Sequence, residues 1–241
     1  MATDLQLDYR LRWMDFDRYG RMQPAALLDI FQGLAIVHAE ELGIGRAAML
    51  ERGVVWVVVR AKLQVLRDPL PDMVVTVKTW PHSLSRFSFL RDYEMTDEQG
   101  NVLVKASSEW VLLSRETREF VRMSDIYDGT TDFCEDRAFE RKPRKVAAFE
   151  GDPRLTRTIV PAYSDIDQNG HVNNAKYAGF VVDALDPGAE GEIRTFQIDY
   201  RHEVLPGVPL EMQLRVQDGR VLAKGINPDG EIAFACDMEL A

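Results

Sequence analysis

The sequence predicts an α+β protein in which a strand, a long helix and a series of antiparallel strands follow one another twice. Two segments carry this prediction, because residues 15–33 and 165–183 align without gaps at an offset of 150. They share Asp15/Asp165, Asp17/Asp167, Gly20/Gly170 and Ala25/Ala175, and each leads into an apolar pattern with helical spacing. A length of 241 residues suits two such units of roughly 120 residues.

The first unit is predicted to open with a strand at residues 5–13 and to continue with a helix over residues 24–42. Pro24 suits the first helical position, where its missing N–H would have no partner, and Gly43 and Gly45 end the helix. Runs rich in β-branched and aromatic residues then predict five strands, at residues 54–66, 73–80, 84–96, 102–114 and 119–123.

The second unit repeats this order. A strand is predicted at residues 155–163 and a helix at residues 174–185, ended by Asp186, Pro187 and Gly188. Four strands are predicted to follow, at residues 192–204, 209–217, 220–226 and 231–240. We therefore divide the chain into an N-terminal unit (1–123), a connector (124–152) and a C-terminal unit (153–241), and we expect the two sheets to join at their edges.

Composition excludes several classes of protein. A hydrophobic content of 46% predicts a packed core, and a net charge of -10 argues against a nucleic-acid binder, which would need a basic face. No apolar run reaches transmembrane length and the N-terminus shows no signal run, so we expect a cytoplasmic protein without a membrane span.

Cysteine and histidine usage gives no sign of a disulfide framework or a metal site. The sequence has two cysteines, and Cys236 lies in an alternating apolar stripe that predicts the buried face of a strand. The four histidines lack metal-ligand spacing, and no glycine-rich phosphate loop follows a strand. We expect neither a metal nor a cofactor.

The stretch YSDIDQNGHVNNAKY, residues 163–177, is the strongest functional signal in the chain. Its polar side chains can bind a carbonyl oxygen, hold a water or carry a proton, and they precede a predicted helix start: Asp165, Asp167, Asn169, His171, Asn173 and Asn174. A merely polar turn is the alternative, but such a turn needs only one or two of them. In the first copy Tyr19 and Arg21 stand where Asn169 and His171 stand in the second, so only the second copy retains the reactive groups.

The loop at 165–177, together with Asp-Tyr-Arg-His-Glu at 199–203, resembles the acyl-acyl carrier protein (acyl-ACP) thioesterase family. Further segments extend the resemblance over nearly the whole chain, at residues 17–21, 25–28, 56–80, 91–93, 106–111 and 117–118. The resemblance implies a tandem double hot-dog fold and hydrolysis of fatty acyl-ACP to free fatty acid. It also implies that the N-terminal unit holds the acyl chain without catalytic residues.

Carried over residue by residue, the resemblance makes Asp167, Asn169, His171 and Glu203 the catalytic set. Plant members have a cysteine directly after the glutamate, whereas this chain has Val204, which excludes a thiol acyl-enzyme at this position and favours attack by water. We assign Glu203 as the base, with His171 holding the water or protonating the leaving sulfur. Asn169 positions the carbonyl or the water, and Asp167 orients Asn169.

Geometry expected from the spacing supports this assignment. Asp167, Asn169 and His171 are two residues apart, so an extended loop would project them to one side. Asn173, Asn174 and Tyr177 are candidate substrate-binding residues. The N–H groups and dipole of the helix that begins near them can face the thioester carbonyl.

Plainer readings exist for several of these residues. Asn173 can serve mainly as the helix cap, and Asp165 can stabilise the turn. Glu203 can be a structural carboxylate paired with Arg201 on the same strand face, whereas His202 points to the other face and is expected at the surface. Trp13, Met14 and Trp56 can line the acyl pocket. Core packing is an equally good account of these three residues.

Three rival functions remain at the level of the sequence. An acyl-CoA thioesterase and a non-catalytic acyl-binding module both fit the same fold, whereas the Asn-rich loop argues against a dehydratase. The expected partner is acyl carrier protein, and the Arg/Lys cluster at 141–145 is either its docking patch or a solvated linker. The oligomeric state, a homodimer included, is left open.

Overall fold

The computed structural model describes residues 3–126, 133–186, 188 and 191–241. Its strands are β1 (Leu5–Arg10), β2 (Val54–Val65), β3 (Val74–Leu84), β4 (Ser88–Thr96), β5 (Val102–Ser114), β6 (Phe120–Val121), β7 (Leu155–Ile159), β8 (Ile193–Tyr200), β9 (Leu210–Gln217), β10 (Arg220–Ile226) and β11 (Ile232–Leu240). Its α-helices are α1 (Pro24–Glu41), α2 (Arg46–Glu51), α3 (Met123–Ile126) and α4 (Asn174–Leu185). Residues 127–132 of the predicted connector and Pro187 of the predicted helix stop lie outside the described residues.

The strands form one antiparallel sheet in the order β1-β3-β4-β5-β2-β8-β11-β10-β9-β7, with β6 beside β5. The two halves of the chain meet where β2 pairs with β8, in a register that sets Ala61 opposite Ile198. The edge of each half-sheet is thereby covered by the other half, as expected from the sequence.

The two long helices pack on one face of this sheet. Helix α1 buries Leu27, Phe31 and Leu34, and α4 buries Tyr177 and Val181, spacings of three and four residues that keep each set on one helix face. Both sets belong to a single apolar cluster that continues across the sheet into the second half. The α+β class, with long helices against an antiparallel sheet, is confirmed.

The backbone reproduces the offset of 150 residues. One-turn 3-10 helices at Trp13–Asp15 and Tyr163–Asp165 precede the two loops, and the bridges Phe16↔Met22 and Ile166↔Val172 close them. Helices α1 and α4 begin at Pro24 and Asn174, which are again 150 residues apart. The first polar loop is therefore a structural copy of the second.

Several expectations about secondary structure were wrong: β1 and β7 end at Arg10 and Ile159 instead of residues 13 and 163, and β4 begins at Ser88 instead of residue 84. Strand β8 ends at Tyr200 instead of residue 204, and β3 continues through Pro81 to Leu84. Proline is tolerated there because β1 pairs with β3 only as far as Thr79, so no β1 residue requires an N–H donor at position 81. Helix α2, six residues long, was not anticipated.

The described part of the connector crosses the face of the sheet opposite the helices. Backbone amides of Ala138 and Val146 donate hydrogen bonds to the carboxylates of Asp92 and Asp199, at 2.8 and 3.0 Å. Within the Arg/Lys cluster, Lys142 pairs with Glu109 at 2.6 Å, so this side chain has a structural contact.

Cys236 is fully buried in β11, as predicted, and its burial raises the pKa of its thiol well above the usual value.

Candidate active site

The polar loop is a closed turn and not the extended segment that the spacing suggested. The Asp167 N–H donates to the His171 carbonyl at 3.0 Å, and the Gly170 N–H donates to the Asp167 carbonyl at 3.0 Å. Gly170 has φ +84°, a left-handed conformation that residues with a Cβ rarely adopt. The turn brings Asp167 and His171 to its base as neighbours.

Asp167 holds Asn169 in place. Its Oδ1 accepts a hydrogen bond from the Asn169 backbone N–H at 2.7 Å, and its Oδ2 accepts one from the Asn169 side-chain amide at 3.3 Å. Asn169 itself is exposed at the tip of the turn. The carboxylate therefore fixes the side-chain amide of Asn169 at an accessible position.

His171 and Glu203 come together across the mouth of the loop. The His171 Nε2 lies 3.8 Å from Oε2 of Glu203, and the Nδ1 lies 3.3 Å from the Val172 carbonyl oxygen. The Nδ1 edge of the ring faces a carbonyl oxygen, so Nε2 is the ring nitrogen directed toward the carboxylate. The two side chains are 26% and 46% exposed, so a substrate or a water can reach both.

Glu203 lies three residues beyond the end of β8, outside the regular strand. The amides of Arg201 and His202 both donate to the Ala233 carbonyl, at 2.8 and 3.0 Å, which interrupts the regular ladder. The Val204 carbonyl then accepts the Val172 amide at 2.9 Å. This last bond joins the segment that carries Glu203 to the loop that carries His171.

Glu203 does not pair with Arg201, so that structural reading was wrong. Arg201 donates to the Val146 carbonyl at 2.9 Å, whereas Glu203 forms an ion pair with Arg118, on the turn between β5 and β6. His202 lies at the surface, 48% exposed and 3.8 Å from Glu231, as expected. From the sequence, Arg118 was noted only within a segment of the family resemblance, because a contact between residues 85 positions apart leaves no local signal.

The candidate substrate-binding residues have structural contacts of their own. The Asn173 Oδ1 accepts the Ala175 N–H at 2.9 Å, which makes Asn173 the N-cap of α4, and Asn174 offers its carbonyl to the Tyr200 hydroxyl at 2.9 Å. Asp165 accepts the Ala162 N–H at 2.8 Å and so stabilises the preceding turn.

Tyr177 is buried in the core, 3% exposed, and its hydroxyl oxygen accepts the Val204 N–H at 3.1 Å. Burial, with a smaller contribution from the charge of Glu203, raises the pKa of this hydroxyl to about 12. Tyr177 is therefore a protonated phenol at neutral pH that holds the backbone beside Glu203.

A small cavity begins beside the start of α4 and continues into the first half of the chain. Its volume is about 30 Å³. Its walls come from α1, α4 and the central strands: Leu28, Phe31, Gln32, Val58, Ala61, Lys62, Tyr93, Ala106, Ser107, Ser108, Trp110, Asn174, Ala175 and Tyr200. Trp13 and Met14 are 73% and 74% exposed and do not line it, so those two expected linings were wrong. Trp56 packs against Phe89 instead, with ring centroids 5.5 Å apart.

Among the described residues, no group of three or more His, Cys, Asp or Glu side chains is arranged to hold a metal ion. The described helices also include none long and apolar enough to cross a membrane.

Solved structures with this architecture establish the fold. An acyl-ACP thioesterase from Bacteroides thetaiotaomicron superposes with a TM-score of 0.90 at 22% identity, covering 99% of this chain and 98% of that chain. A 12:0-ACP thioesterase from Umbellularia californica superposes with a TM-score of 0.88 at 22% identity, covering 100% and 98%. The class of protein is therefore that of the tandem hot-dog folds, as the sequence predicted.

Sequence comparison then identifies the family. The acyl-ACP thioesterase N-terminal domain model matches residues 3–129, and the C-terminal domain model matches residues 152–232. The chain belongs to the acyl-ACP thioesterase family.

Curated relatives agree with this assignment. An acyl-[acyl-carrier-protein] hydrolase of Cuphea viscosissima is 28% identical over 213 residues, which are 76% of this chain and 51% of that protein. An oleoyl-acyl carrier protein thioesterase of Arabidopsis thaliana is 27% identical over 195 residues, 73% of this chain and 54% of that protein. The chain thus spans about half the length of these relatives, both of which are named chloroplastic.

Proposed function

We propose that this protein hydrolyses the thioester of fatty acyl-ACP and releases a free fatty acid by direct attack of water. The observation that carries the proposal is the approach of His171 Nε2 to within 3.8 Å of Glu203 Oε2, just before helix α4, whose first residues line the cavity. Membership of the family supports the substrate.

In the proposed reaction Glu203 accepts a proton from water, and the water oxygen bonds to the thioester carbon. The C–S bond then breaks, and the departing sulfur takes the Nε2 proton of the protonated His171 ring, which becomes neutral. The proton on Glu203 returns to His171 across the short gap between them, so the site is restored. Position 204 is valine, which leaves no cysteine next to Glu203 to form an acyl-enzyme.

Asn169 and the N-terminus of α4 supply the groups that face the thioester oxygen. Asp167 orients the Asn169 amide, whose second N–H can approach the developing oxyanion. The dipole of α4 adds positive potential at the same point. Donors of this kind typically contribute about 3–4 kcal/mol to the transition state.

We also propose that the acyl chain lies between α1 and α4 along the line of this cavity, whose walls move apart to admit it. Most of the wall comes from the N-terminal unit (1–123), which accordingly holds the chain while the C-terminal unit (153–241) carries the catalytic set.

The proposed donor of the acyl group is acyl carrier protein. A cytoplasmic location remains a prediction, and cell fractionation checks it.

Replacement of the two central residues tests the proposal. We expect Glu203→Gln and His171→Ala each to lower kcat on acyl-ACP by about 10²–10⁴, because general acid–base catalysis contributes that much. His202→Ala is the matched control and should retain activity, since this histidine is exposed next to Glu203 but contacts Glu231.

Near-normal rates in folded Glu203→Gln and His171→Ala would remove the assignment of roles. Tight retention of an acyl ligand without turnover by the unmodified protein would identify a binding module instead. A higher kcat/KM for the same acyl group on coenzyme A than on carrier protein would change the substrate and leave the chemistry intact.

A further inference from the structure

We propose that Arg118 is a positioning residue that holds the Glu203 carboxylate against His171; this inference rests on the function proposed above. The guanidinium of Arg118 is ion-paired with Oε1 of Glu203, while Oε2 of the same carboxylate faces Nε2 of His171 at 3.8 Å. Because the two oxygens are rigidly joined, fixing one of them aims the other.

Glu203 needs such a partner because its side chain is otherwise free to turn. It is 46% exposed and follows the end of β8, and its neighbour Val204 is tied by its backbone to Tyr177 and Val172. Those bonds fix where residue 203 lies but not its side-chain torsions. Among the described residues, Arg118 and His171 are the polar contacts of this carboxylate.

The turn that presents Arg118 is well braced. The Arg118 N–H donates to the Ser114 carbonyl at 3.0 Å, and the Ser114 N–H donates to the Glu119 carbonyl at 2.9 Å. Arg118 adopts φ +61°, a conformation unfavourable for a residue with a Cβ. Strained backbone of this kind is concentrated at functional sites, where the surrounding structure maintains it.

The structural copy in the first half offers a comparison. Asp68 occupies the position equivalent to Glu203. Four residues after each of them, a backbone N–H donates to a matching carbonyl: Asp72 to Leu11 in the first half, and Gly207 to Pro161 in the second. Asp68 is also held by an arginine of the other half, with Arg194 Nη1 at 3.0 Å from its Oδ1.

Arg21 stands in the first half where His171 stands in the second. The carboxylate of Asp68, although paired with Arg194, therefore has no histidine at the position equivalent to His171. That pair represents the plainer account of Arg118, in which an arginine only ties the two halves together. An arginine with only this structural role would contribute to the free energy of unfolding without affecting kcat.

Kinetics of Arg118→Ala, Arg118→Lys and Arg115→Ala on acyl-ACP separate the two accounts. Arg115 is the matched control, an exposed arginine of the same turn. For Arg118→Ala we expect kcat to fall about 10- to 100-fold at nearly constant KM, because misplacing a catalytic group has effects of that size.

Arg118→Lys should recover part of the rate, and Arg115→Ala should match the unmodified protein. In a Glu203→Gln background, Arg118→Ala should have no further effect on kcat, because Arg118 acts through that carboxylate. Equal rate losses in both backgrounds, or a rise in KM alone, would overturn the inference.

A readout that needs no turnover keeps the inference separate from the proposed function. The ring resonances of His171, assigned by their loss in His171→Ala, should move in Arg118→Ala in the same direction as in Glu203→Gln. Unchanged resonances in Arg118→Ala, beside shifted ones in Glu203→Gln, would make Arg118 a structural tie. Absence of acyl-ACP hydrolysis in the unmodified protein would overturn the function alone, and the resonances would still decide on Arg118.

Discussion

Gly170 is the residue on which the shape of the polar loop depends. It has φ +84°, its counterpart Gly20 has φ +76°, and a Cβ at either position would meet no atom within 4 Å. We expect Gly170→Ala and Gly20→Ala each to lower the free energy of unfolding by about 1–2 kcal/mol, from backbone strain alone. Urea denaturation measures this.

The same two variants also compare the two loops by rate. Thioester hydrolysis should fall only in Gly170→Ala, because His171 and Asn169 lie on that turn while Tyr19 and Arg21 lie on the other. Equal losses of rate in both variants would show that the first loop also takes part in the reaction.

Sequence reasoning named side chains that the structure brings together, but it did not foresee how they are held. The spacing of Asp167, Asn169 and His171 was recognised, yet the carboxylate of Asp167 folds the segment into a turn by accepting the Asn169 N–H. Arg201 was considered as a partner of Glu203 only in the structural alternative, because a strand was expected to continue through residue 204. A long-range contact such as that of Arg118 depends on the whole fold.

At the scale of single elements, the cap of α4 links stability to the site. We expect Asn173→Ala to destabilise the protein by about 1 kcal/mol, because the Ala175 N–H loses its acceptor at 2.9 Å. Asn173→Ser should restore most of this loss, since a hydroxyl oxygen can cap the same amide. Thermal unfolding of the two variants gives the comparison, and equal destabilisation by Ala and Ser would contradict the capping role.

Long elements with strong patterns were predicted well, and short or interrupted ones were not. Helix α4 and strand β5 begin and end where their apolar patterns do. Strand β8 stops early because the Ala233 carbonyl accepts two successive amides, an event that β8 alone does not encode. The six-residue α2 is too short for periodicity to reveal.

At the scale of the whole molecule, a buried ion network joins the two halves. Arg60 on β2 binds both oxygens of Asp199 on β8, at 2.7 and 2.8 Å, and also Glu109 at 2.6 Å. The three side chains are between 3% and 12% exposed. We expect Arg60→Met to cost about 3–5 kcal/mol of unfolding free energy, because it leaves Asp199 buried without its cation and Glu109 with Lys142 alone.

Arg220→Met is the matched control for that experiment. Arg220 also binds both oxygens of an aspartate on the neighbouring strand, Asp237, but the arginine is 58% exposed. Surface pairs of this kind contribute about 1 kcal/mol or less. A similar loss of stability in both variants, measured by urea denaturation, would show that burial at the junction has no special effect.

The joining of both halves in one covalent chain gives each polar loop its own coding sequence. In an assembly of two identical subunits, any substitution appears in both copies, so neither loop can change alone. Here Tyr19 and Arg21 stand in one copy where Asn169 and His171 stand in the other. Natural variation or design can therefore reshape one loop without altering its twin.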